Sequence, residues 1–202
     1  MKISSNEISH LLLKKEAVQI NLEKLFKWSS GIMSPIYCDN RKLLSFPEER
    51  KIIVQAFIEK ILGLNIKFNC IAGVATGGIA WGALVADKLD LPFVYVRSEP
   101  KKHGLSNQIE GNLPENPQVI VIEDLVSTGK SSLNACIALI EKNASIQFLI
   151  SIFQYGFHEA YQNFEKYNIR FTSLTDFTSL IEIGNFDIEQ KNWLLQWITN
   201  PH

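Results

Sequence analysis

The sequence has 202 residues, of which 46% are hydrophobic and 20% are charged. This composition is typical of one globular domain with a sizeable core, and it excludes disordered, collagen-like and disulfide-dense chains. The 20 Lys and Arg residues nearly balance the 21 Asp and Glu residues, so the chain lacks the positive field that attracts nucleic acids or anionic membranes. We therefore expect neither a nucleic-acid partner nor a membrane partner.

The cysteines and the N-terminus bear on the cellular compartment. Cys38, Cys70 and Cys136 are far apart in the sequence, a spacing that contains neither a disulfide framework nor a zinc motif and predicts buried thiols in a reducing compartment. The N-terminal residues show no signal-peptide pattern, and no apolar run approaches the ~20 residues that cross a bilayer. These features predict a cytoplasmic protein.

The first two predicted elements are helices. Apolar residues with i, i+3, i+4 spacing predict an amphipathic helix over residues 5–17, with Ser4 or Ser5 as its N-cap. Pro47, followed by two glutamates, predicts a second helix that runs to about residue 62 and ends at Gly63.

Short apolar runs then alternate with helical segments. The predicted strands are 70–75, 93–97, 119–122 and 146–153, and the predicted helices between them are 78–88 and 129–142. Strands that are almost wholly apolar are buried on both faces, so the pattern predicts an α/β fold with a mostly parallel sheet wrapped by helices. In such sheets ligands bind beyond the carboxyl ends of the strands. The segments to inspect are therefore 73–78, 97–111 and 123–132.

The segment VIVIEDLVSTGKSS (119–132) combines a buried strand, two carboxylates, several hydroxyl residues and a glycine at a helix start. The backbone N–H groups of residues 127–130 would lie at a helix N-terminus, where unpaired donors and the helix dipole favour a phosphate. Gly129 allows the main chain to approach that phosphate closely. Glu123 and Asp124 suit ribose hydroxyls or the shell of a magnesium ion.

Two other interpretations of this segment match parts of it. The TGKSS string contains the Gly-Lys-Ser of a P-loop, but that motif needs a glycine where Asp124 stands. The segment could also be an acidic strand end followed by a capped helix that binds no ligand.

The segment 119–132 resembles the phosphoribosyl pyrophosphate (PRPP) signature of the type I phosphoribosyltransferases. The shared order is four apolar residues, two acidic ones, two apolar ones and then Ser/Thr-Thr-Gly-x-Ser. The resemblance implies a type I phosphoribosyltransferase-like α/β fold. Its central, mostly parallel sheet is flanked by helices, and it carries a small N-terminal hood and a mobile lid loop.

RSEPKKHG (97–104), continuing to NQIEG (107–111), is similar to the lid of orotate phosphoribosyltransferases. Arg97, Lys101, His103 and Gly104 match the pattern of that loop, and Ser98 stands where many members carry a second lysine. The segment also gathers positive charges between flanking glycines, which indicates a hinged lid between two strands. We expect residues 101–111 to be mobile without ligand.

Two further segments fit the same family. SSGIMSPIYCDNRKLL (29–44) is similar to the segment that closes over orotate and the ribose, with Met33 where several relatives have lysine. GVATGG (73–78) corresponds to the pyrophosphate loop, in which the family usually has a non-proline cis bond near Ala75 and Thr76. The resemblance covers roughly residues 20–183.

We expect one domain over residues 1–202, with the hood in about 1–45, the core in about 46–183 and a C-terminal helix in about 187–199. Trp193, Leu194, Trp197 and Ile198 stand at helical spacing in that tail. This spacing predicts a packing helix rather than a binding site.

The resemblance implies an enzyme of pyrimidine (UMP) biosynthesis that joins N1 of orotate to C1 of PRPP. The products are orotidine 5-monophosphate and pyrophosphate. It implies Lys101, His103 and Asp124 as catalytic residues and Ser127 as an orotate contact. The implied PRPP-binding residues are Arg97, Lys101, His103, Glu123, Asp124, Leu125, Val126, Ser127, Thr128, Gly129, Lys130 and Ser131.

The resemblance also implies Mg²⁺, bound mainly through the pyrophosphate and ribose hydroxyls of the substrate, with no protein residue assigned as its ligand. It implies a homodimer in which the lid of one subunit closes on the site of the other. Two alternatives stay open: a phosphoribosyltransferase for a purine or another base, which YGFHEAY (155–161) does not decide, and a non-catalytic regulator of the same fold that binds RNA or DNA.

Overall fold

The computed structural model describes residues 2–28, 31–98, 107–199 and 201. The described residues form seven α-helices, ten strands and a 3₁₀ helix over Asn40–Ser45. The elements in chain order are α1 (Ser5–Lys14), β1 (Val18–Ile20), β2 (Phe26–Lys27), β3 (Met33–Ser34), β4 (Ile36–Cys38), α2 (Pro47–Gly63), β5 (Cys70–Val74), α3 (Gly77–Leu89), β6 (Phe93–Val96), β7 (Ile109–Glu110), β8 (Gln118–Val126), α4 (Lys130–Ile140), β9 (Ser145–Gln154), α5 (His158–Glu165), β10 (Phe171–Asp176), α6 (Phe177–Ile183) and α7 (Ile188–Thr199).

Six strands form the central sheet, in the order β10-β9-β8-β5-β6-β7. Every neighbouring pair is parallel except β6 and β7, which are antiparallel. The predicted α/β fold with a mostly parallel sheet is confirmed, because helices cover both faces. Alternate strand residues face two buried apolar clusters, one packed by α1, α2, α3, α6 and α7 and the other by α4 and α5.

Most predicted boundaries agree with the structure to within two residues, and two of them differ. The first helix ends at Lys14, three residues before the predicted end, and Glu16 follows it with a positive φ of 53°. Its predicted N-cap is confirmed, because the Ser4 side chain accepts a hydrogen bond from the backbone N–H of Glu7. The second difference is that β8 continues to Val126 instead of ending at residue 122.

The N-terminal segment forms two small antiparallel sheets. β1 pairs with β4, and β2 pairs with β3. The sequence did not predict these strands, because two or three residues are too few to show a period of two. The antiparallel pair of β2 and β3 is called here the β2–β3 hairpin.

The C-terminal end of the predicted lid is a strand. Ile109 and Glu110 form β7 and pair with Val96 and Tyr95 of β6, so the expected lid over residues 101–111 is too long at this end. Ile109 is buried, and that apolar contact together with the ladder holds the strand on the sheet. Residues 99–106 lie outside the described part of the chain.

None of the described helices combines the length and the hydropathy that a membrane-spanning helix requires.

Candidate active site

A cavity of about 540 Å³ opens at the carboxyl ends of β5 and β8. It is called here the acidic cavity, because Glu123 and Asp124 lie in its wall. Its lining residues are Arg41, Ala75, Thr76, Gly77, Glu123, Asp124, Leu125, Ser127, Thr128, Gly129, Lys130, Ser131 and Ser132. Parallel strands place the loops that follow them at one edge of the sheet, which is why segments 73–78 and 123–132 meet here.

The loop before α4 has the geometry of an anion-binding helix start. Gly129 is the N-cap, with φ of 75°, and α4 begins at Lys130. The positive φ favours glycine, and a Cβ at this position would also lie only 3.0 Å from the ring of Phe164 in α5. The side-chain amide of Asn163 in α5 donates a hydrogen bond to the backbone carbonyl of Thr128 at 3.0 Å. This bond ties the loop before α4 to α5.

Glu123 is buried under the acidic cavity, with 4% of its surface exposed. Its carboxylate accepts hydrogen bonds from the backbone N–H of Asp124 and from the Ser132 hydroxyl, both at 3.0 Å. Burial, followed by the negative charge of Asp124, raises the pKa of Glu123 well above its ordinary value. This carboxyl group therefore takes up a proton more readily than an exposed glutamate.

Asp124 joins three segments of the chain. Its backbone carbonyl accepts a hydrogen bond from the Asn40 amide at 2.7 Å, and its carboxylate lies where a Cβ of Gly77 would be. Burial raises the pKa of Asp124, and a hydrogen bond with Glu123 and the nearby positive charge of Arg41 partly oppose that rise. Asp124 is therefore held by the 3₁₀ helix and by the start of α3.

The acidic pair lies inside β8, whereas the sequence placed it at the end of the strand. The pairing of β8 with β5 ends at Ile122, opposite Gly73, but its pairing with β9 continues to Val126, opposite Gln154. One edge of β8 is thus hydrogen-bonded while the other faces the start of α3. This asymmetry rigidly positions Asp124 at the cavity wall.

Arg41 is a cavity residue that the sequence analysis missed. Its Nε donates to Oδ1 of Asp39 at 2.6 Å, which fixes the guanidinium where it lines the acidic cavity. The only available signal was its position inside the segment 29–44, because nothing in its immediate neighbours marks it as a ligand.

The pyrophosphate-loop segment has the predicted backbone geometry. The peptide bond between Ala75 and Thr76 is cis, as the family resemblance implied. The backbone N–H of Ala75 donates to the carbonyl of Val96 at 2.8 Å, so the loop begins directly from the β5–β6 ladder.

A second cavity of about 420 Å³ adjoins the first. It is called here the aromatic cavity, and it shares Leu125 and Ser127 with the acidic cavity. Its other lining residues come from the hood and from the end of β9, and they are Lys27, Trp28, Tyr37, Cys38 and Tyr155. Lys27, Trp28 and Tyr155 were not singled out from the sequence.

The cysteine prediction is confirmed for Cys70 and Cys136, which are buried free thiols, and is wrong for Cys38, which is partly exposed. Cys38 lies at the end of the short strand β4, where the aromatic cavity opens. The hood therefore leaves its side chain within reach of the cavity.

The remaining predicted site residues lie elsewhere. Val126 is buried in the core cluster packed by α4 and α5. Arg97 is absent from the lining of both cavities, and its Nη1 lies 3.5 Å from Oε1 of Glu110. Lys101 and His103 lie outside the described residues.

Comparison with known proteins identifies the family of this chain. The family model of the phosphoribosyl transferase domain matches residues 42–175. Over 201 residues the chain is 44% identical to an orotate phosphoribosyltransferase of Coxiella burnetii, covering 98% of this chain and 96% of that protein. Over 195 residues it is 48% identical to one of Oceanobacillus iheyensis, covering 95% and 96% of the two chains.

Solved structures agree with these matches. The orotate phosphoribosyltransferase of Aeropyrum pernix superposes with a TM-score of 0.73 at 28% identity and covers 87% of this chain and 96% of its own. The UMP synthase of Leishmania donovani superposes with a TM-score of 0.79 at 22% identity, covering 98% of this chain and 42% of its own, and supports the fold alone. The chain therefore belongs to the phosphoribosyl transferase domain family and, within it, to the orotate phosphoribosyltransferases.

Proposed function

We propose that this chain transfers the phosphoribosyl group of PRPP to orotate in pyrimidine biosynthesis. The bond between C1 of the ribose and pyrophosphate breaks, the bond between C1 and N1 of orotate forms, and orotidine 5-monophosphate and pyrophosphate leave. The observation that carries the proposal is the adjacency of the two cavities at Leu125 and Ser127. One cavity has the groups for a phosphorylated sugar, and the other has the aromatic and cationic groups for a planar anion.

The 5-phosphate of PRPP binds at residues 127–131. The N-terminus of α4 supplies backbone donors and the positive end of a helix dipole. Ser127, Thr128 and Ser131 add hydroxyl donors in the same lining. Because Gly129 has no side chain, the phosphate can come close to the main chain.

The ribose hydroxyls bind at Asp124, with Glu123 fixed behind it. A carboxylate accepts hydrogen bonds from hydroxyl groups, and those bonds hold C1 of the ribose at the boundary between the cavities. Departure of pyrophosphate leaves positive charge on the sugar, as in glycoside hydrolysis. The fixed negative charge of Asp124 stabilises that state, which is its catalytic role in the proposal.

The pyrophosphate binds at Thr76 and Gly77, beside Asp124. Arg41 lines this end of the acidic cavity and supplies a fixed positive charge. In the proposal Lys101 and His103 from the lid stabilise the departing pyrophosphate as catalytic residues. Orotate is already an anion, so positioning and electrostatics supply most of the rate enhancement.

Orotate occupies the aromatic cavity. Trp28 and Tyr155 give the cavity an aromatic wall, and Lys27 is the cation among the described lining residues that suits the carboxylate of orotate. Ser127 lies at the junction, where it contacts the base and the phosphate loop at once.

Mg²⁺ is part of the proposal. Among the described residues no group of three His, Cys, Asp or Glu side chains is arranged to hold a metal ion. Asp124, a single carboxylate beside the ribose position, fits an ion that takes most of its ligands from pyrophosphate and ribose hydroxyls. When bound, the ion supplies positive charge to the leaving pyrophosphate.

The assembly in the proposal is a homodimer with a shared lid. Arg97 begins the lid at the end of β6, and its side chain is directed to Glu110 instead of the cavities of its own chain. The shared lid itself is what the family resemblance of residues 97–111 implies. Two further predictions from the sequence keep that status. They are the cytoplasmic location of the protein and the division of its single domain into hood, core and C-terminal helix.

The experiment is a spectrophotometric assay of orotate loss with PRPP and Mg²⁺. Hypoxanthine, adenine and uracil are run in parallel as competing bases. We expect orotate to be the preferred acceptor by kcat/KM. Faster turnover of another base would contradict the proposal and favour a phosphoribosyltransferase for that base. Tight binding of PRPP without turnover of any base would contradict it and favour a non-catalytic regulator.

A further inference from the structure

We propose that Trp197 in α7 is a positioning residue for the aromatic cavity. It holds the β2–β3 hairpin, which contributes one wall of that cavity. The inference rests on the proposed function, because that function assigns the cavity to orotate. It gives the C-terminal helix a role in base binding beyond core packing.

A hydrogen bond connects α7 to the hairpin. The indole Nε1 of Trp197 donates to the backbone carbonyl of Met33 at 3.2 Å. Met33 is the residue paired with Lys27 across the two strands, and Lys27 lines the aromatic cavity. The bond therefore fixes the strand that lies directly beside the cavity wall.

Ring contacts make a second connection. The Trp28 ring centroid lies 6.1 Å from Trp197 and 4.8 Å from Tyr155, and both Trp28 and Tyr155 line the aromatic cavity. Phe157 contacts both indoles, with its ring centroid 5.9 Å from that of Trp197 and 6.2 Å from that of Trp28. Trp197 thus supports the cavity-lining ring of Trp28 from outside the cavity.

The hairpin needs such support because its own ladder is short. Two paired residues in each strand form a sheet that is marginal in isolation. Trp197 is 8% exposed with the hairpin in place. If the hairpin moved away, the indole ring would lose its contact with Trp28 and its N–H group would exchange the Met33 carbonyl for water. The bond between Trp197 and Met33 therefore favours the position of the hairpin that completes the cavity.

The test is Trp197→Phe, which keeps an aromatic ring and removes the N–H group. We expect the KM for orotate to rise about fivefold, the effect of one lost hydrogen bond, while the KM for PRPP stays unchanged. Trp193→Phe is the matched control, since Trp193 lies one turn earlier in α7 and is 40% exposed. We expect this control to behave like the wild type.

A second variant separates the hydrogen bond from the packing. Replacing Trp197 by its benzothiophene analogue keeps the shape of the two fused rings and removes the donor, so the fold is preserved. A raised KM for orotate in this variant supports the inference. An unchanged KM for orotate in both variants, even with a lower melting temperature, would overturn it and leave Trp197 purely structural.

The same assays distinguish this inference from the proposed function. If wild-type protein prefers another base, the proposed function fails, and the two variants are then compared by KM for that base. A selective rise in that KM would still support the positioning role of Trp197, and an unchanged KM would reject it.

Discussion

The carboxylate of Asp124 in β8 occupies the space beside the backbone of Gly77, at the first residue of α3. A Cβ at position 77 would overlap this carboxylate, so the absence of a side chain there lets the acidic group reach the cavity. Two segments that are distant in the sequence, the end of β8 and the start of α3, therefore meet at one point of the acidic cavity. The contact ties the proposed ribose site to the proposed pyrophosphate site.

Gly77→Ala is expected to displace the Asp124 side chain, because the new methyl group would occupy the space of the carboxylate. Aspartate has a short side chain, so its carboxylate cannot avoid the methyl group and still reach the same point of the acidic cavity. We expect kcat/KM for PRPP to fall at least about tenfold, the loss of roughly 1.4 kcal/mol of transition-state binding. Gly63→Ala is the control, since a Cβ at the end of α2 would have no atom within 4 Å. Equal kinetics for the two variants would contradict the contact.

Asp124→Asn tests the charge and not the shape. The asparagine retains the backbone carbonyl that accepts the Asn40 hydrogen bond, so the fold should persist. Loss of the fixed charge should cost about 3 kcal/mol in the barrier, or about a hundredfold in kcat. A variant that melts like the wild type and keeps nearly full turnover would show that Asp124 is only structural.

Glu123→Gln should change the pH dependence of stability. Burial raises the pKa of Glu123 in the folded protein above its ordinary value of 4.5, which applies to the unfolded chain. At any pH between the unfolded-state pKa and the folded-state pKa, the folded state therefore binds more protons than the unfolded state. The contribution of this group to the free energy of unfolding therefore falls as the pH rises through that interval. Glutamine cannot ionise, so the variant should gain stability relative to the wild type with rising pH.

The measurement is urea unfolding of ligand-free protein, with wild type and variant compared at about pH 5 and about pH 8. Glu115→Gln, at an exposed position, is the control. A difference between Glu123→Gln and the wild type that does not change with pH would refute the expectation.

The sheet was predictable from the sequence, and the hood was not. β5, β8 and β9 are runs of buried apolar residues long enough to recognise, and the start of α4 carries a complete local motif. Arg41 and Asn40 were missed because their roles depend on a contact 84 residues away, between Asn40 and Asp124. No local period or composition encodes that contact.

The aromatic cavity shows the same limit. Trp28 and Tyr155 contribute to one cavity wall only because the hood folds onto the end of β9. The sequence marked the hood by resemblance, but its strands of two or three residues carry no readable pattern. The base-binding groups could therefore not be chosen before the structure placed them together.

Arg41→Ala should weaken the binding of PRPP. The guanidinium is fixed by Asp39 beside the proposed pyrophosphate site, so its removal should raise the KM for PRPP about tenfold and leave the KM for orotate unchanged. Arg41→Lys, which keeps the charge, should recover part of the loss. Lys51→Ala, which removes an exposed ion pair with Glu48 on α2, is the control, and a similar effect in that variant would point to general electrostatics.

The shared lid is tested by complementation between two defective chains. Lys101→Ala and Asp124→Asn are each expected to be nearly inactive alone. They are co-expressed with different affinity tags, and hybrid dimers are isolated by two successive purifications.

If the lid of one subunit serves the other, one site of each hybrid combines an intact Asp124 with an intact Lys101 from the neighbouring chain, and the other site carries both defects. One repaired site of two should restore about half of the wild-type activity per dimer. If each lid serves its own subunit, every site keeps one defect and no activity returns. Hybrids that are dimeric but no more active than either parent would therefore exclude the shared site, and a chain that elutes as a monomer would exclude the dimer itself.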